Sequence, residues 1–168
     1  MCEITIIIPN YNGAGFLKDC LESLENQEEA PAFRTLVVDN GSADGSLRLQ
    51  TEHFPGVEVI PLTENTGFCH AVNVGIQAAD TPYVLLLNND TKVSPLFVRS
   101  LTDAIREKPR AFSVSAKMLM WDNPGLIDDA GDRYCVLGWA YARGKGRSAV
   151  KYSRPVEIFS ACGGAAIY

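Results

Sequence analysis

Ile4-Thr5-Ile6-Ile7-Ile8-Pro9-Asn10-Tyr11-Asn12-Gly13 is the stretch on which the fold turns. Its β-branched run does not alternate with polar residues, so the strand it forms is covered on both faces, as in a parallel sheet. Pro9 closes the run, and a crossover helix has to follow. Between Phe16 and Asn26, Leu17, Cys20, Leu21 and Leu24 recur at i, i+3, i+4 and i+7, one stripe of an amphipathic helix. The alternation then repeats. Arg34-Thr35-Leu36-Val37-Val38 reads as a second strand, the turn-rich Asp39-Asn40-Gly41-Ser42-Ala43-Asp44-Gly45 leads to a short helix near Ser46–Glu52, and Val57-Glu58-Val59-Ile60 is a third strand. Phe68, Val72, Gly75, Ile76 and Ala79 share one helical face, with Asn65 or Thr66 placed to cap it. Tyr83-Val84-Leu85-Leu86-Leu87 is the most apolar strand and hence central. Ser94-Pro95 supplies an N-cap and a first-turn proline for a helix that buries Phe97, Leu101, Ala104 and Ile105, and Phe112–Ala116 alternates like a strand with one wet face. This order predicts an α/β fold, an open, mostly parallel twisted sheet with right-handed crossovers and helices on both faces.

After Met118 the periodicity fades. Asn123-Pro124-Gly125, Ala130-Gly131-Asp132 and Arg143-Gly144-Lys145-Gly146-Arg147 are turn signals, so residues 1–118 form the core and residues 119–168 an irregular region of the same domain. The last stretch, Glu157 to Tyr168, is apolar and stops without a polar tail, which predicts a chain cut short within a larger protein.

Composition narrows the function. With 168 residues, 46% hydrophobic and 21% charged, the chain is an ordinary globular one, which excludes disorder, collagen and coiled coil. A formal charge of −5 disfavours nucleic acid as the main partner. Five cysteines without a C-x-x-C fit a reducing cytoplasm. No basic leader opens the chain, and no apolar run reaches the roughly 18 residues of a membrane span.

In an open α/β sheet, ligands bind at the carboxyl ends of the strands. Three strands here end in polar clusters, at Pro9-Asn10-Tyr11-Asn12-Gly13, Asp39-Asn40-Gly41-Ser42 and Asn88-Asn89-Asp90-Thr91. Parallel neighbours lie only about 4.8 Å apart, so such ends can converge on one small molecule. The same residue types also serve plain turns, and Ser42 or Asp44 can cap the following helix. Absence of G-x-x-x-x-G-K-[ST], of a strand-linked G-x-G-x-x-G and of G-x-S-x-G argues against P-loop hydrolases, dinucleotide dehydrogenases and serine hydrolases. His53 reads as a surface loop residue, and His70, one turn into a helix, takes no assigned role. Asp90, directly behind the most apolar strand, is placed either to hold a divalent cation that completes its shell with substrate phosphates or to cap the next helix.

Ile6–Gly13, Val37–Ser46, Glu64-Asn65-Thr66-Gly67-Phe68 with Asn73 and Gly75, and Leu85–Thr91, in this order and spacing, resemble family-two glycosyltransferases, most of all their rhamnosyltransferase-like branch. Ile127-Asp128-Asp129-Ala130-Gly131 and Ser160–Ala165 extend the resemblance toward the C-terminus. It implies a Rossmann-like GT-A domain that takes a sugar from a UDP- or dTDP-sugar, with inversion, to a glycan or lipid-linked acceptor. It also implies a cytoplasmic site of action, at the inner membrane face where the acceptor is lipid-borne. By position, Pro9, Tyr11 and Asn12 line the nucleoside pocket, Asp39 accepts from the base, and Asn40 and Ser42 lie beside it. Asn65, Gly67 and Asn73 border the ribose and diphosphate. Asn88-Asn89-Asp90 matches a D-x-D motif with Asn first, which leaves Asp90 as the ligand of Mg2+ or Mn2+ and Asn88 and Asn89 as neutral contacts.

The family's general base is an acidic residue in a Glu-Asp segment beyond the position of Tyr168. Asp128 and Asp129 are substitutes on paper, although both also read as residues that cap the Ala130-Gly131 turn. Arg143, Lys145, Arg147, Lys151 and Arg154 fall within twelve positions without an acid, a solvated run or a lid that contacts the acceptor. Two alternatives stand beside the transferase: a nucleotide-binding portion that lacks the base, and a sugar nucleotidyltransferase, whose glycine-rich phosphate loop is missing from the N-terminal region.

Overall fold

The computed structural model describes residues 2–168. β1 (Ile4–Asn10), α1 (Leu17–Glu25), β2 (Phe33–Asp39), α2 (Ser46–His53), β3 (Glu58–Pro61), α3 (Phe68–Ala78), β4 (Tyr83–Leu87) and α4 (Phe97–Glu107) alternate as the sequence predicts. Short strands follow: β5 (Val114–Ser115), β6 (Met118–Leu119), β7 (Ile127–Asp129), β8 (Asp132–Tyr134), β9 (Ala140–Ala142) and, after a 3-10 turn, β10 (Ala165–Ile167). Six strands form one sheet in the order β3-β2-β1-β4-β10-β5. The four long ones are mutually parallel, and β10 runs antiparallel to both its neighbours.

Both sheet faces are covered, which is why β1 reads as a continuous apolar run. Ile4, Ile6, Ile8, Leu85 and Leu87 pack with Leu17, Cys20, Leu21 and Leu24 of α1 and with Val98, Leu101 and Ile105 of α4. On the opposite face Ile7, Leu36, Val38 and Leu86 meet Ala71 and Val72 of α3. Each fully buried Leu or Ile contributes about 1.5–3 kcal/mol of transfer free energy. Gly75 lets α3 lie directly on β1, because a Cβ at that position would collide with the Ile7 side chain. The chain runs outward from β1 through β2 to β3, then crosses to β4 on the other side of β1, so strand order reverses between β1 and β4. A crevice at the carboxyl ends of these two strands is the general ligand position of such sheets.

Five local expectations need correction. Helix α3 begins behind Gly67, not behind an Asn65 or Thr66 cap. Helix α4 begins behind Leu96, and its first turn is closed by a distant side chain: Gln27 Oε1 accepts the Val98 N–H at 2.9 Å while Gln27 Nε2 donates to Ser94 O at 2.8 Å. Its buried stripe is accordingly rotated to Val98, Leu101, Thr102 and Ile105, leaving Phe97 and Ala104 only partly covered. Phe112 lies outside the two-residue β5, is 85% exposed, and packs edge-on against Tyr168. His53 is the exposed last residue of α2 and not a loop residue.

Candidate functional site

Parallel register places Asn10, at the end of β1, beside Asp39, at the end of β2. Both are buried, at 1% and 2% exposure, so their polar groups have to be satisfied internally. Asn10 Nδ2 lies within hydrogen-bond distance of Asp39 Oδ1 (2.8 Å), Ser46 Oγ (3.0 Å) and Ser42 Oγ (3.2 Å). Asn89 Nδ2, behind β4, donates to Asn10 Oδ1 at 2.7 Å. One amide thus joins the carboxyl ends of β1, β2 and β4 and the start of α2. Asp39 also accepts the Ser42 N–H at 3.1 Å, and Ser42 Oγ accepts the Asn12 N–H at 2.9 Å. Asn12 Oδ1 accepts the Ala43 N–H in return.

A second knot holds the approach to α3. Asn40, 4% exposed, donates from Nδ2 to Asn65 Oδ1 (2.9 Å) and to Gly67 O (3.3 Å), while its Oδ1 accepts from Thr66 N and Oγ1. The loop can come this close because Gly41 has φ +75°, and a Cβ there would stand 2.7 Å from the Glu64 backbone. Around these knots Tyr11 is 49% exposed, Pro9 is half-buried, and Asn12, Gly67, Asn73 and Asp90 are exposed. The result is a rigid rim of amides and one deep carboxylate, with an aromatic ring and a free carboxylate at its border. Such a rim can orient a polar planar base and a diphosphate.

Pro9 and Asp39 lie at the carboxyl ends of β1 and β2, Asn73 lies on α3, and the other expected nucleotide-side residues belong to the strand-end loops or to the loop that precedes α3. Asn10 was missing from the expected site, although it sits between Pro9 and Tyr11. Only the register of β1 on β2, a tertiary property, reveals it as the hub. Gly164 is a further unpredicted neighbour, since its carbonyl accepts the Asn88 N–H at 2.9 Å and brings the Cys162-Gly163-Gly164 loop to the same edge.

The acidic substitutes for a base are engaged elsewhere. Asp128 is ion-paired with Lys145 at 2.8 Å. Asp129 is 7% exposed and accepts the Gly131 N–H; burial raises its carboxyl above the ordinary Asp value, with Asp132 and Asp128 adding to the rise. Arg143 Nη1 donates to Ala130 O at 3.2 Å, and its guanidinium covers the Tyr152 ring at 4.7 Å. Two of the five basic residues in the expected lid are therefore engaged by β7, the Ala130 turn and Tyr152. Behind the rim, burial pushes the Cys20 thiol up to about 12, which marks it as an inert packing group. Among the described residues no group of three or more His, Cys, Asp or Glu is placed to cage a metal ion.

A doubly covered α/β sheet with a polar rim at its strand-order reversal is the layout of a ligand-binding α/β domain. Residues 5–159 match the model of glycosyl transferase family 2, and the chain belongs to that family. It is 27% identical over 171 residues to N-acetylglucosaminyl-diphospho-decaprenol L-rhamnosyltransferase of Mycobacterium tuberculosis, an alignment that covers 90% of this chain and 55% of the relative. The structure of S. aureus TarS 1-349 in complex with UDP-GlcNAc is similar with TM-score 0.62 and 25% identity, over 69% of this chain and 34% of that one. The mannosyltransferase PcManGT from Pyrobaculum calidifontis, in complex with GDP-Man and Mn2+, is similar with TM-score 0.60 and 25% identity, over 69% of this chain and 36% of that one. The fold is accordingly GT-A. The chain spans from 14% to 55% of the length of curated relatives such as these.

Proposed function

We propose that residues 1–118 bind a nucleoside-diphosphate sugar, a UDP- or dTDP-sugar, and that the sugar passes with inversion to a glycan or lipid-linked acceptor approached from residues 119–168. The observation that carries this reading is the Asn10-centred network, which fixes the ends of β1, β2 and β4 as one preorganised surface. Asp39 keeps spare lone pairs for the N–H of a pyrimidine base, and Tyr11 and Pro9 offer a flat apolar flank. Asn40 and Ser42 hold that loop, while Asn65, Gly67 and Asn73 border the ribose and diphosphate.

Asp90, with Asn88 and Asn89 beside it, fits a Mg2+ or Mn2+ site of the open kind, in which one carboxylate suffices because a diphosphate provides most of the oxygens. Bound there, the ion supplies charge neutralisation for the departing diphosphate. Deprotonation of the acceptor hydroxyl falls to a base in the Glu-Asp segment that the family resemblance sets beyond Tyr168, since Asp128 and Asp129 are already committed to Lys145 and the Gly131 turn. That commitment also favours a second reading, nucleotide binding by residues 2–168 without turnover.

Calorimetric titration with UDP and with dTDP, with and without Mg2+ or Mn2+, tests the donor site. Metal-dependent binding is expected, weakened roughly tenfold or more by Asp90→Ala, a loss of about 1.4 kcal/mol or more. No binding of either nucleotide under any of these conditions would overturn the reading. Release of free sugar or transfer by the chain separates the transferase from the binding-only reading, and pyrophosphate release from a nucleoside triphosphate would instead indicate a nucleotidyltransferase.

A further inference from the structure

The hairpin of β8 and β9 ends in a turn with Gly138 (φ +99°) at its last position and apolar side chains at both corners. Gly138 N–H donates to Cys135 O and Cys135 N–H to Trp139 O, both at 2.9 Å, so Val136 and Leu137 occupy the two corners. Turn corners ordinarily take Gly, Pro, Asn, Asp or Ser, which bond the local backbone or tolerate its angles. Here Val136 is 100% exposed, Leu137 72% and Trp139 59%. Val136 buries nothing and Leu137 and Trp139 stay mostly exposed, and three apolar side chains gathered at one hairpin end mark a contact with something apolar.

The segment that starts one residue into the hairpin has a charge unlike the rest of the molecule, while the acids Asp132 and Glu157 that flank it share a cavity with Arg133 and Arg143. Residues 133–156 contain Arg133, Arg143, Lys145, Arg147, Lys151 and Arg154 and no acid, whereas the remainder holds nine basic and twenty acidic residues, a net of −11. Among the described residues only Lys145 of these six is ion-paired. Arg143 stacks on Tyr152 just past β9 and so ties Lys151 and Arg154 to the base of the hairpin, while the stretch around Arg147 is hydrogen-bonded to Ile127 of β7.

We propose that this hairpin is a membrane-surface anchor: Val136, Leu137 and Trp139 enter the boundary between headgroups and acyl chains of an anionic bilayer, and the basic residues at its foot meet the lipid phosphates. Three strand residues at about 3.3 Å each set the tip about 10 Å from the foot. That matches the ~5–10 Å depth of interfacial insertion and keeps the bases within about a Debye length, ~8 Å, of the surface. The acidic remainder is repelled by the same bilayer, which fixes the hairpin side downward. A convex aliphatic corner suits a bilayer better than a protein, because a protein partner has to offer a fitted groove and the acyl boundary adapts to any shape. The inference stands apart from the donor site, since it neither requires nor tests nucleotide binding.

Co-sedimentation of the chain with vesicles of phosphatidylglycerol and phosphatidylcholine in equal parts, against phosphatidylcholine alone, reads this directly. Binding to the anionic vesicles is expected to be roughly tenfold or more the stronger, and to weaken as salt is raised. The double variant Val136→Asp, Leu137→Asp should lose that binding about tenfold while its urea midpoint and UDP affinity stay unchanged. In a Trp121→Phe variant, which leaves Trp139 as the reporter, emission should shift to the blue on anionic vesicles only. Equal binding to both vesicle types, no binding to either, retention of binding by the double variant, or lipid-free self-association that the double variant abolishes would each overturn the proposal. The last of these would assign the tip to a second copy of the chain.

Discussion

Asn10 shows how much one amide can carry. It faces the same way as Ile8 in β1, toward a region that is apolar one turn earlier, and at the strand end it exchanges that packing for hydrogen bonds to Asp39, Ser46 and Asn89. Replacing it by Ala removes a donor from a buried carboxylate and an acceptor from Asn89. Asn10→Ala is expected to cost about 1–3 kcal/mol in urea unfolding, the range for stranded buried polar groups, and to weaken UDP binding as well. A stability within a few tenths of a kcal/mol of the parent would mean that water replaces the amide and that the hub is not structural. Asp39 was legible as a candidate from its place behind a strand. Asn10 was not, because the sequence does not say which of Pro9, Asn10 and Tyr11 turns inward.

Helices and long strands were legible because their signals are local: a 3.6-residue stripe for α1 and α3, and continuous apolar runs for β1 and β4. Their starts were not. The α4 N-terminus is satisfied by Gln27, about seventy positions upstream, and the approach to α3 is stitched by Asn40, so neither helix needs the local cap that Ser94 or Asn65 offered. Contact of α3 with β1 depends on Gly75. Gly75→Val should force α3 off Ile7 and Val38 and cost about 1–3 kcal/mol, as overpacking does, seen as a lower melting temperature. An unchanged melting temperature would show that α3 shifts without loss and that the close approach is incidental.

The final strand decides the integrity of the whole molecule. β10 lies between β4 and β5, so the direct neighbour of β4 on that side comes from some eighty positions downstream in the chain. A chain that ends at Ser160 loses β10, exposes the edge of β4 and leaves β5 without a partner. It is expected to unfold without a single cooperative transition, or to associate through the open edge, by circular dichroism in urea and by light scattering. Retention of the parent transition would show that the parallel core stands alone. By itself the sequence determined the α/β class, the order of the long elements, the polar clusters at three strand ends and the family resemblance, because periodicity, turn chemistry and motif spacing are carried by neighbouring residues. Only the tertiary structure decided that Asn10 is the hub, that Asp128 and Asp129 are already engaged, and that the apolar C-terminal stretch is an inner strand. Those outcomes depend on register and on which sheet edge remains open, and both are settled by contacts between residues far apart in the chain.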